Sequence, residues 1–275
     1  MIMEFIKPKE VQVKIIEGGK ILGEVLEKIS KMAQPGVSTG KIDKEAERLI
    51  KEAGGLPAFK GYGGDKHRQG FPCTVCVSRN HELVHGIARE TDILQEGDIF
   101  SMDIGMQWPR KCGEGENKNG YFTDTALTVA VGKISGKTQD LMSVTKKALE
   151  IGIDKCKAGN RLSDIGEAIQ DYVEPKGYGI VRDLIGHGVG YHVHEEPRVP
   201  NFYDSSLRRI ILKPGMVLAL EPMVTMGDYE VITAEDDWTI ETADKSLCAH
   251  FEHTVIITDG EPIVVTRRPS EKNLI

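Results

Sequence analysis

Several features that would assign this chain to a special class are missing from its sequence. It has no low-complexity tract and no apolar run of membrane-spanning length. Hydrophobic residues make up 40% and charged residues 28% of its 275 positions, which is ordinary for a globular protein. A chain of this length buries a substantial core as one large domain or two smaller ones. The protein is therefore predicted to be neither disordered nor embedded in a membrane.

The opening residues also lack the signature of a secreted protein. They show no basic head, continuous apolar stretch and small-residue cleavage site. Cysteines number five, an odd count at irregular spacings that favours reduced thiols over a disulfide framework. The pair Cys73 and Cys76 forms a CxxC in a strand-like stretch without a second CxxC, so a redox or zinc role is disfavoured. We expect a cytoplasmic protein.

The charge balance argues against a general nucleic-acid binder. The net charge is −7, and the sequence has no basic stripe of the kind that such proteins carry. Small basic groups occur at Lys7, Lys9 and Lys14 and at 66–68. A solvated surface is the favoured interpretation for each.

Two parts of the chain repeat one another. The segment from Gly36 to Gly54 aligns without gaps to the segment from Gly159 to Gly177. In both, a glycine turn precedes apolar residues at three- and four-residue intervals, a pattern that predicts an amphipathic helix ending at glycine. The repeat suggests halves at about 12–132 and 137–262.

The repeat extends to acidic residues at strand-like positions. Leu94 to Asp103 matches Leu212 to Glu221, a turn followed by an apolar strand that closes on a carboxylate. Likewise Phe-Thr-Asp124 aligns with Phe-Glu252 at the start of a β-rich run. Each half reads as two helices followed by several strands joined by short turns. An α+β fold is predicted, with pseudo-two-fold halves and an antiparallel sheet covered by helices on one face.

Strands related by a two-fold axis would bring the four acids together near that axis. Buried carboxylates are costly unless they are paired or bound to a cation, and like charges raise one another's pKa. Two divalent cations would remove that conflict.

His187, between flanking glycines in Gly-His-Gly-Val-Gly, would add a neutral nitrogen ligand. The predicted ligands are Asp103, Asp124, His187, Glu221 and Glu252. Oxygen-rich ligation favours Mn²⁺, Fe²⁺ or Co²⁺, with Zn²⁺ as an alternative.

Other histidines lie in glycine-punctuated segments suited to substrate contact, among them His85 and the pair His192 and His194. Side chains alternate along an extended stretch, so only one member of that pair is expected to face the metals. For His67, His81 and His250 the preferred interpretation is a surface or satisfied core residue.

These motifs resemble those of the type I methionine aminopeptidases, within the pita-bread metallopeptidase family. The similarity runs from about Ile6 to Arg267. It rests on the segments Ser78-Arg-Asn-His-Glu-Leu-Val-His85-Gly-Ile, Ser-Met-Asp103-Ile-Gly, Phe-Thr-Asp124-Thr, Gly-His187-Gly-Val-Gly, Val-His194-Glu-Glu-Pro, Leu-Glu221-Pro-Met and Phe-Glu252-His-Thr. The stretch from His187 to Glu252 leaves no room for the helical insert of type II enzymes. The resemblance implies a pita-bread fold with a curved sheet, and one catalytic domain over residues 1–275.

The resemblance also implies an activity and its residues. A hydroxide between two metals would attack the scissile carbonyl of nascent chains, removing the initiator methionine when the next residue is small. Glu221 would accept the proton, His194 would stabilise the oxyanion, and His85 would contact the scissile amide. The substrate's amine would approach Asp103. The implied methionine pocket consists of Tyr62, Phe71, Cys76, His85 and Trp238.

The sequence departs from the family pattern at three places. Val193 stands where relatives usually carry a large aromatic residue, which affects one wall of the pocket. Two loops look long, at Gly63–Gly70 and at Gln107–Tyr121, and the second is expected to project outward because it is charged and rich in glycine.

Two other functions remain open at this point. One is an Xaa-Pro aminopeptidase or dipeptidase of the same fold, although those enzymes usually carry an additional N-terminal domain. The other is a non-catalytic pita-bread binding protein, which would be expected to have lost ligands. Nascent polypeptide N-termini are the expected partners, with transient ribosome contact, no membrane and a monomeric state.

Overall fold

The chain folds as two successive sets of helices and antiparallel strands. The computed structural model describes residues 5–66, 69–111 and 119–271. The first set contains α1 (Lys9–Ser30), α2 (Thr39–Glu52), β1 (Leu56–Pro57), β2 (Val75–Arg79), β3 (Glu82–Val84), β4 (Ile99–Trp108) and β5 (Tyr121–Ala130). The second set contains α3 (Gly136–Lys155), α4 (Ser163–Val173), β6 (Gly179–Ile180), β7 (Gly186–Gly188), β8 (Glu195–Val199), β9 (Val217–Leu220), β10 (Met223–Thr225), β11 (Val231–Thr233), β12 (Ile240–Thr242), β13 (Cys248–His250), β14 (His253–Ile256) and β15 (Ile263–Val264). Short 3₁₀ helices lie at Glu174–Lys176, Ser205–Arg209 and Pro269–Glu271.

The two predicted amphipathic helices are α2 and α4. The Ser38 hydroxyl caps α2 by accepting a hydrogen bond from the Lys41 backbone N–H at 3.3 Å. Gly54 follows α2, and Gly177 follows α4 and its 3₁₀ turn, with φ values of 77° and 80°. Such left-handed φ angles are those of glycine at a helix C-terminus. The prediction that both helices end at glycine is confirmed.

Each half has its own hydrophobic core. In the first half, buried residues of α1 and α2 such as Leu26 and Ile42 pack with Phe100 and Met102 of β4. In the second half, α3 and α4 pack on β9 through a separate cluster that includes Leu149, Ile165, Ile169, Leu218 and Leu220. The cores therefore repeat with the secondary structure.

Among the described residues all the ladders are antiparallel, as predicted. In the first half β4 lies between β2 and β5, with β1 paired at its far end. In the second half the longest sheet runs β15-β14-β9-β7-β8. Two three-stranded sheets, β13-β10-β6 and β11-β12-β3, complete the layer. The second of these pairs β3 of the first half with β12 of the second.

The two halves are joined at one of the predicted ligands. Ala126 of β5 and Glu252 exchange backbone hydrogen bonds of 3.0 and 3.4 Å. The Thr254 hydroxyl adds two bonds to the Asp124 backbone, accepting from its N–H at 3.0 Å and donating to its C=O at 2.8 Å. These bonds place the acid-bearing segments of the two halves side by side.

Some details differ from the sequence predictions. The β4–β5 hairpin extends to the pair Trp108 and Tyr121, so the loop expected over Gln107–Tyr121 is shorter at both ends. Residues 67, 68 and 112–118 lie outside the described residues, with the predictions that fall on them. Across the part of the chain that the structure describes, no helix has the length and apolarity needed to cross a membrane.

Lys7 is not on a solvated surface. The residue is 2% exposed, and Nζ lies 2.5 Å from Oε2 of Glu195. Oε1 of the same carboxylate accepts a 2.6 Å hydrogen bond from the His192 backbone N–H. Because a buried ammonium is costly without a partner, this ion pair ties the segment before α1 to the loop that carries His194.

Candidate metal centre and active-site cavity

The first two acids share one face of the β4–β5 hairpin. Asp103 on β4 lies opposite Ala126, and Asp124 on β5 lies opposite Gly105. The two acids are thus diagonal neighbours, and side chains two residues apart along a strand point to the same face. The register of this hairpin therefore directs both carboxylates to one place.

The other two acids lie at the edge of a second ladder. Glu221 follows directly after β9, and Glu252 directly precedes β14. The last pair of that ladder is Leu220 with His253, so the two glutamates lie one step beyond it on adjacent strands. Glu252 is also the residue that bonds to Ala126, which brings the second pair of acids to the first.

His187 reaches the same place from β7. A Cβ added at Gly186 or Gly188 would lie 2.3 Å from a backbone oxygen of a neighbouring strand. The flanking glycines therefore allow the close approach that the sequence predicted. Nδ1 of His187 lies 2.9 Å from the carbonyl oxygen of Gly188. Since a carbonyl only accepts, Nδ1 carries the hydrogen and Nε2 presents a lone pair.

All eleven predicted site residues line one cavity of about 280 Å³. They are Tyr62, Phe71, Cys76, His85, Asp103, Asp124, His187, His194, Glu221, Trp238 and Glu252. His192, the alternate of His194, is exposed and is absent from the cavity lining. The structure thus brings the acidic and the apolar members of the predicted set together.

The donor set fits divalent cations. Three overlapping groups have ligand atoms within 4.8 Å of one another. They are Asp103 with Asp124 and Glu252, His187 with Glu221 and Glu252, and Asp124 with His187 and His194. One oxygen each of Asp103, Asp124 and Glu252 is buried without a hydrogen-bond partner among the described residues. Buried oxygens of this kind are unfavourable unless something binds them, and carboxylates with one imidazole suit Mn²⁺, Fe²⁺, Co²⁺ or Zn²⁺.

The pKa values of the four acids show the cost of burying like charges together. Burial raises the pKa of Asp124 to about 7. Burial and the neighbouring carboxylates raise the pKa values of Asp103, Glu221 and Glu252 well above their usual range. Without a cation the cluster therefore holds protons at neutral pH, and a cation would displace them.

The cavity histidines are neutral at pH 7. Burial, with a smaller contribution from His194, lowers the pKa of His187 to about 3 and that of His85 to about 4. Burial also lowers the pKa of His194. His85 has a φ of 58°, a left-handed conformation that costs about 1–2 kcal/mol in a residue other than glycine. Such strain occurs preferentially at functional sites.

The other side of the cavity is apolar. Phe71 and Trp238 meet edge to face with ring centroids 5.4 Å apart, a favourable aromatic geometry. Cys76 is buried beside them. Four further lining residues escaped the sequence analysis, namely Phe59, Val84, Leu184 and Ile185. The last two directly precede Gly186, so their adjacency to His187 was an available signal.

Val193 has a different place from that expected. It is 5% exposed and packs with Phe59, Phe71 and Cys76, but it is absent from the cavity lining. A valine at this position thus supports the pocket from behind.

The interpretation of His250 as a surface or satisfied core residue was wrong. It is 1% exposed, and neither ring nitrogen has a hydrogen-bond partner among the described residues. Its Nε2 lies 3.8 Å from Oε2 of Glu221, and burial lowers its pKa to about 3. Its position two residues before Glu252 was the available signal, because alternate residues of an extended segment share a face.

The thiols agree with the sequence prediction. Cys73, Cys76, Cys156 and Cys248 are buried and free. Burial raises the pKa of Cys73 to about 11, so this thiol is far from the reactive thiolate form.

Comparison with known proteins relates most of the chain to one family. Residues 13–259 match the profile of metallopeptidase family M24. The methionine aminopeptidase of Clostridium acetobutylicum is 46% identical over 250 residues, which cover 91% of this chain and 93% of that protein.

Solved structures give the same relation at the level of the fold. The methionine aminopeptidase of Thermotoga maritima superposes with a TM-score of 0.86 at 36% identity, covering 96% of this chain and 99% of that one. The prolidase of Pyrococcus horikoshii has a TM-score of 0.74 at 21% identity, and the match covers 99% of this chain and 66% of the prolidase. The predicted pita-bread fold is confirmed.

Proposed function

Because the chain belongs to metallopeptidase family M24, we propose that it is a methionyl aminopeptidase. It would remove the N-terminal methionine from nascent polypeptides whose second residue is small. The observation that carries this proposal is one cavity of about 280 Å³ with a carboxylate cluster on one side and an aromatic and sulfur surface on the other. Relatives that share nearly its full length are methionine aminopeptidases.

The proposed ligands are Asp103, Asp124, His187, Glu221 and Glu252. Their oxygens and the Nε2 lone pair of His187 would hold two divalent cations, of which Mn²⁺, Fe²⁺ and Co²⁺ are favoured and Zn²⁺ is an alternative. When bound, the cations would supply Lewis acidity and a nucleophilic water of lowered pKa.

The surrounding residues would bind and orient the substrate. Tyr62, Phe71, Cys76, His85 and Trp238 would enclose the methionine side chain, since aromatic rings and sulfur suit a thioether. Asp103, which lines the cavity, would attract the free α-amine.

Three residues would handle protons and developing charge. Glu221 would accept a proton from the attacking water. His194 would donate a hydrogen bond to the oxygen of the scissile carbonyl as negative charge develops there. His85 would contact the scissile amide and assist the leaving amine.

We further propose that residues 1–275 form one catalytic domain and that the protein acts in the cytoplasm as a monomer. Its contact with the ribosome would be transient, because its substrates emerge there as nascent chains.

Cleavage specificity tests the function directly. Metal-free protein is reconstituted with Mn²⁺, Fe²⁺ or Co²⁺ and given Met-Gly-Met-Met in parallel with Xaa-Pro peptides. Release of methionine from the first substrate alone is expected. Preferential cleavage of the Xaa-Pro peptides would establish the alternative peptidase. Binding of both kinds of peptide without cleavage of either would establish a binding protein.

A further inference from the structure

Tyr62 makes a contact that a residue serving only as an apolar wall does not need. The residue is 45% exposed, yet its hydroxyl oxygen lies 2.8 Å from Nδ1 of His194. The two rings meet edge to face with centroids 5.0 Å apart. The hydroxyl therefore contacts the histidine proposed to stabilise the oxyanion.

The backbone fixes the position of Tyr62. Its N–H donates to the carbonyl of Phe59 at 2.8 Å, and its carbonyl accepts from the N–H of Phe71 at 2.9 Å. Gly61 adds a 2.8 Å bond to the carbonyl of Phe71. The backbone of Tyr62 is thus held on both sides, so only side-chain rotation is lost when its hydroxyl bonds to His194.

The direction of this hydrogen bond follows from the two groups. A phenolic hydroxyl is protonated at neutral pH and donates well. A neutral imidazole has one bare ring nitrogen. The basic imidazole nitrogen accepts more readily than a phenol oxygen does. The Tyr62 hydroxyl therefore donates to Nδ1, and Nε2 of His194 carries the hydrogen.

The neighbouring His187 has the opposite arrangement. Its ring lies 4.5 Å from that of His194 between centroids, but its Nδ1 donates to the Gly188 carbonyl at 2.9 Å. His187 thus presents a lone pair on Nε2, whereas His194 presents an N–H. Since His194 also lies within ligand distance of Asp124 and His187, its tautomer decides whether it acts as a hydrogen-bond donor or as an additional metal ligand.

We propose that Tyr62 is a positioning residue that holds His194 in its Nε2–H tautomer. This keeps His194 a donor toward the substrate carbonyl and prevents its Nε2 from binding a cation. The effect on turnover rests on the proposed function, whereas the tautomer itself does not. The two parts can therefore be tested separately.

The tautomer is measured on metal-free protein labelled with ¹⁵N-histidine, at about pH 8, where histidine is neutral. Long-range ¹H–¹⁵N spectra distinguish the protonated from the bare ring nitrogen, and the His194→Ala variant assigns the signals. In the wild type, Nε2 of His194 is expected to be protonated. In Tyr62→Phe, the signals should shift toward a mixture of both tautomers. Tyr203→Phe, which alters an exposed tyrosine outside the cavity lining, is the matched control and should leave the spectrum unchanged.

The kinetic consequence is a loss in kcat. Tyr62→Phe keeps the ring and removes the hydroxyl, so kcat for Met-Gly-Met-Met should fall about tenfold, the effect of one hydrogen bond. KM should stay within about twofold, because the apolar pocket is retained. In a His194→Ala background, Tyr62→Phe should cause no further loss.

An unchanged His194 tautomer in Tyr62→Phe would overturn the proposal. An effect of Tyr62→Phe on KM alone would also overturn it, and so would an equal loss of kcat when Tyr62→Phe is made in the His194→Ala background. Either result would make Tyr62 a pocket residue only. If the wild type releases no methionine, the proposed function fails, and the labelled spectra still decide the role of Tyr62.

Discussion

Asp103 and Asp124 stand within two ten-residue strands, whereas Glu221 and Glu252 lie just outside two four-residue strands. The two aspartates sit inside the β4–β5 ladder, and the two longer glutamates reach the same place from the edge of the β9–β14 ladder. Only the second half adds His187 and His194. Duplication thus supplies the charge, while β7 and the segment before β8 in the second half supply His187 and His194, the neutral groups that make the centre asymmetric.

Removing one acid from each half should break the centre in both cases. Asp124→Asn and Glu252→Gln are each expected to lower kcat/KM by at least about a thousandfold, since even residues that only support a ligand cost 10–100-fold. Elemental analysis should find fewer than two tightly bound ions in each variant. Asp171→Asn, at an exposed position on α4, is the control. Full activity in either ligand variant would refute the equivalence of the two halves.

Shortening one glutamate tests whether the second half needs its longer acids. Glu221→Asp keeps the charge but withdraws the carboxylate by about one C–C bond, 1.5 Å. A misplacement of this size should lower kcat about a hundredfold. Glu167→Asp, on the exposed face of α4, should change nothing. Undiminished kcat in Glu221→Asp would show that the position of this carboxylate is not critical.

Lys7 should stabilise the second half through its ion pair with Glu195, although it lies near the start of the chain. Lys7→Met leaves Glu195 without its partner, which should lower the free energy of unfolding by about 2 kcal/mol. That is less than the 3–5 kcal/mol of a fully buried broken pair, because the Glu195 side chain is 12% exposed. Urea denaturation measures the change, with Lys20→Met on α1 as the exposed control. Equal stability of the two variants would contradict the account of this ion pair.

Asp124 should destabilise the metal-free protein at high pH. Burial raises its pKa from 3.8 to about 7, so the folded state keeps a proton that the unfolded chain has already lost. Its contribution is full below about pH 4 and is lost as pH rises through about 7. At about pH 8, metal-free Asp124→Asn should be more stable than the wild type by about 1–2 kcal/mol, as when a buried charge is replaced by a neutral isostere.

Thermal unfolding of both metal-free proteins between about pH 5 and pH 8 checks this expectation. The difference between them should grow with pH. A constant difference would show that Asp124 does not titrate in this range.

Of the residues tested, Cys73 should contribute least to activity. It is buried behind the pocket and absent from the cavity lining, and its Sγ donates only a weak bond to the Ala88 carbonyl. Cys73→Ser should therefore change kcat/KM by less than about twofold, while burying a hydroxyl costs about 1 kcal/mol of stability. A large loss of activity with retained stability would revive a chemical role for the CxxC.

The sequence allowed the repeated helices, the antiparallel strands and the cavity residues to be predicted for a physical reason. Strand alternation and register fix the direction of Asp103 and Asp124, and glycines mark the helix ends and the approach to His187. These are local signals. The resemblance to a known family added the apolar pocket, which no periodicity in the sequence indicates.

What could not be predicted depends on contacts between distant segments. The burial of Lys7 arises from Glu195, 188 positions away. The place of His250 beside Glu221 depends on how β13 meets the segment after β9. For Lys7, neither residue type nor spacing distinguishes a solvated lysine from a buried one, and for His250 the spacing from Glu252 indicates only the face on which it lies.

The location of the bound ions tests the central claim most directly, that the acids of both halves form one two-metal centre. Crystals of the protein soaked in Mn²⁺ would be measured at a wavelength that gives anomalous scattering from manganese. Two peaks about 3.5–4 Å apart are expected, which together lie within bonding distance of acids from both halves. No peak in the cavity, or peaks bound by the acids of one half alone, would contradict the account.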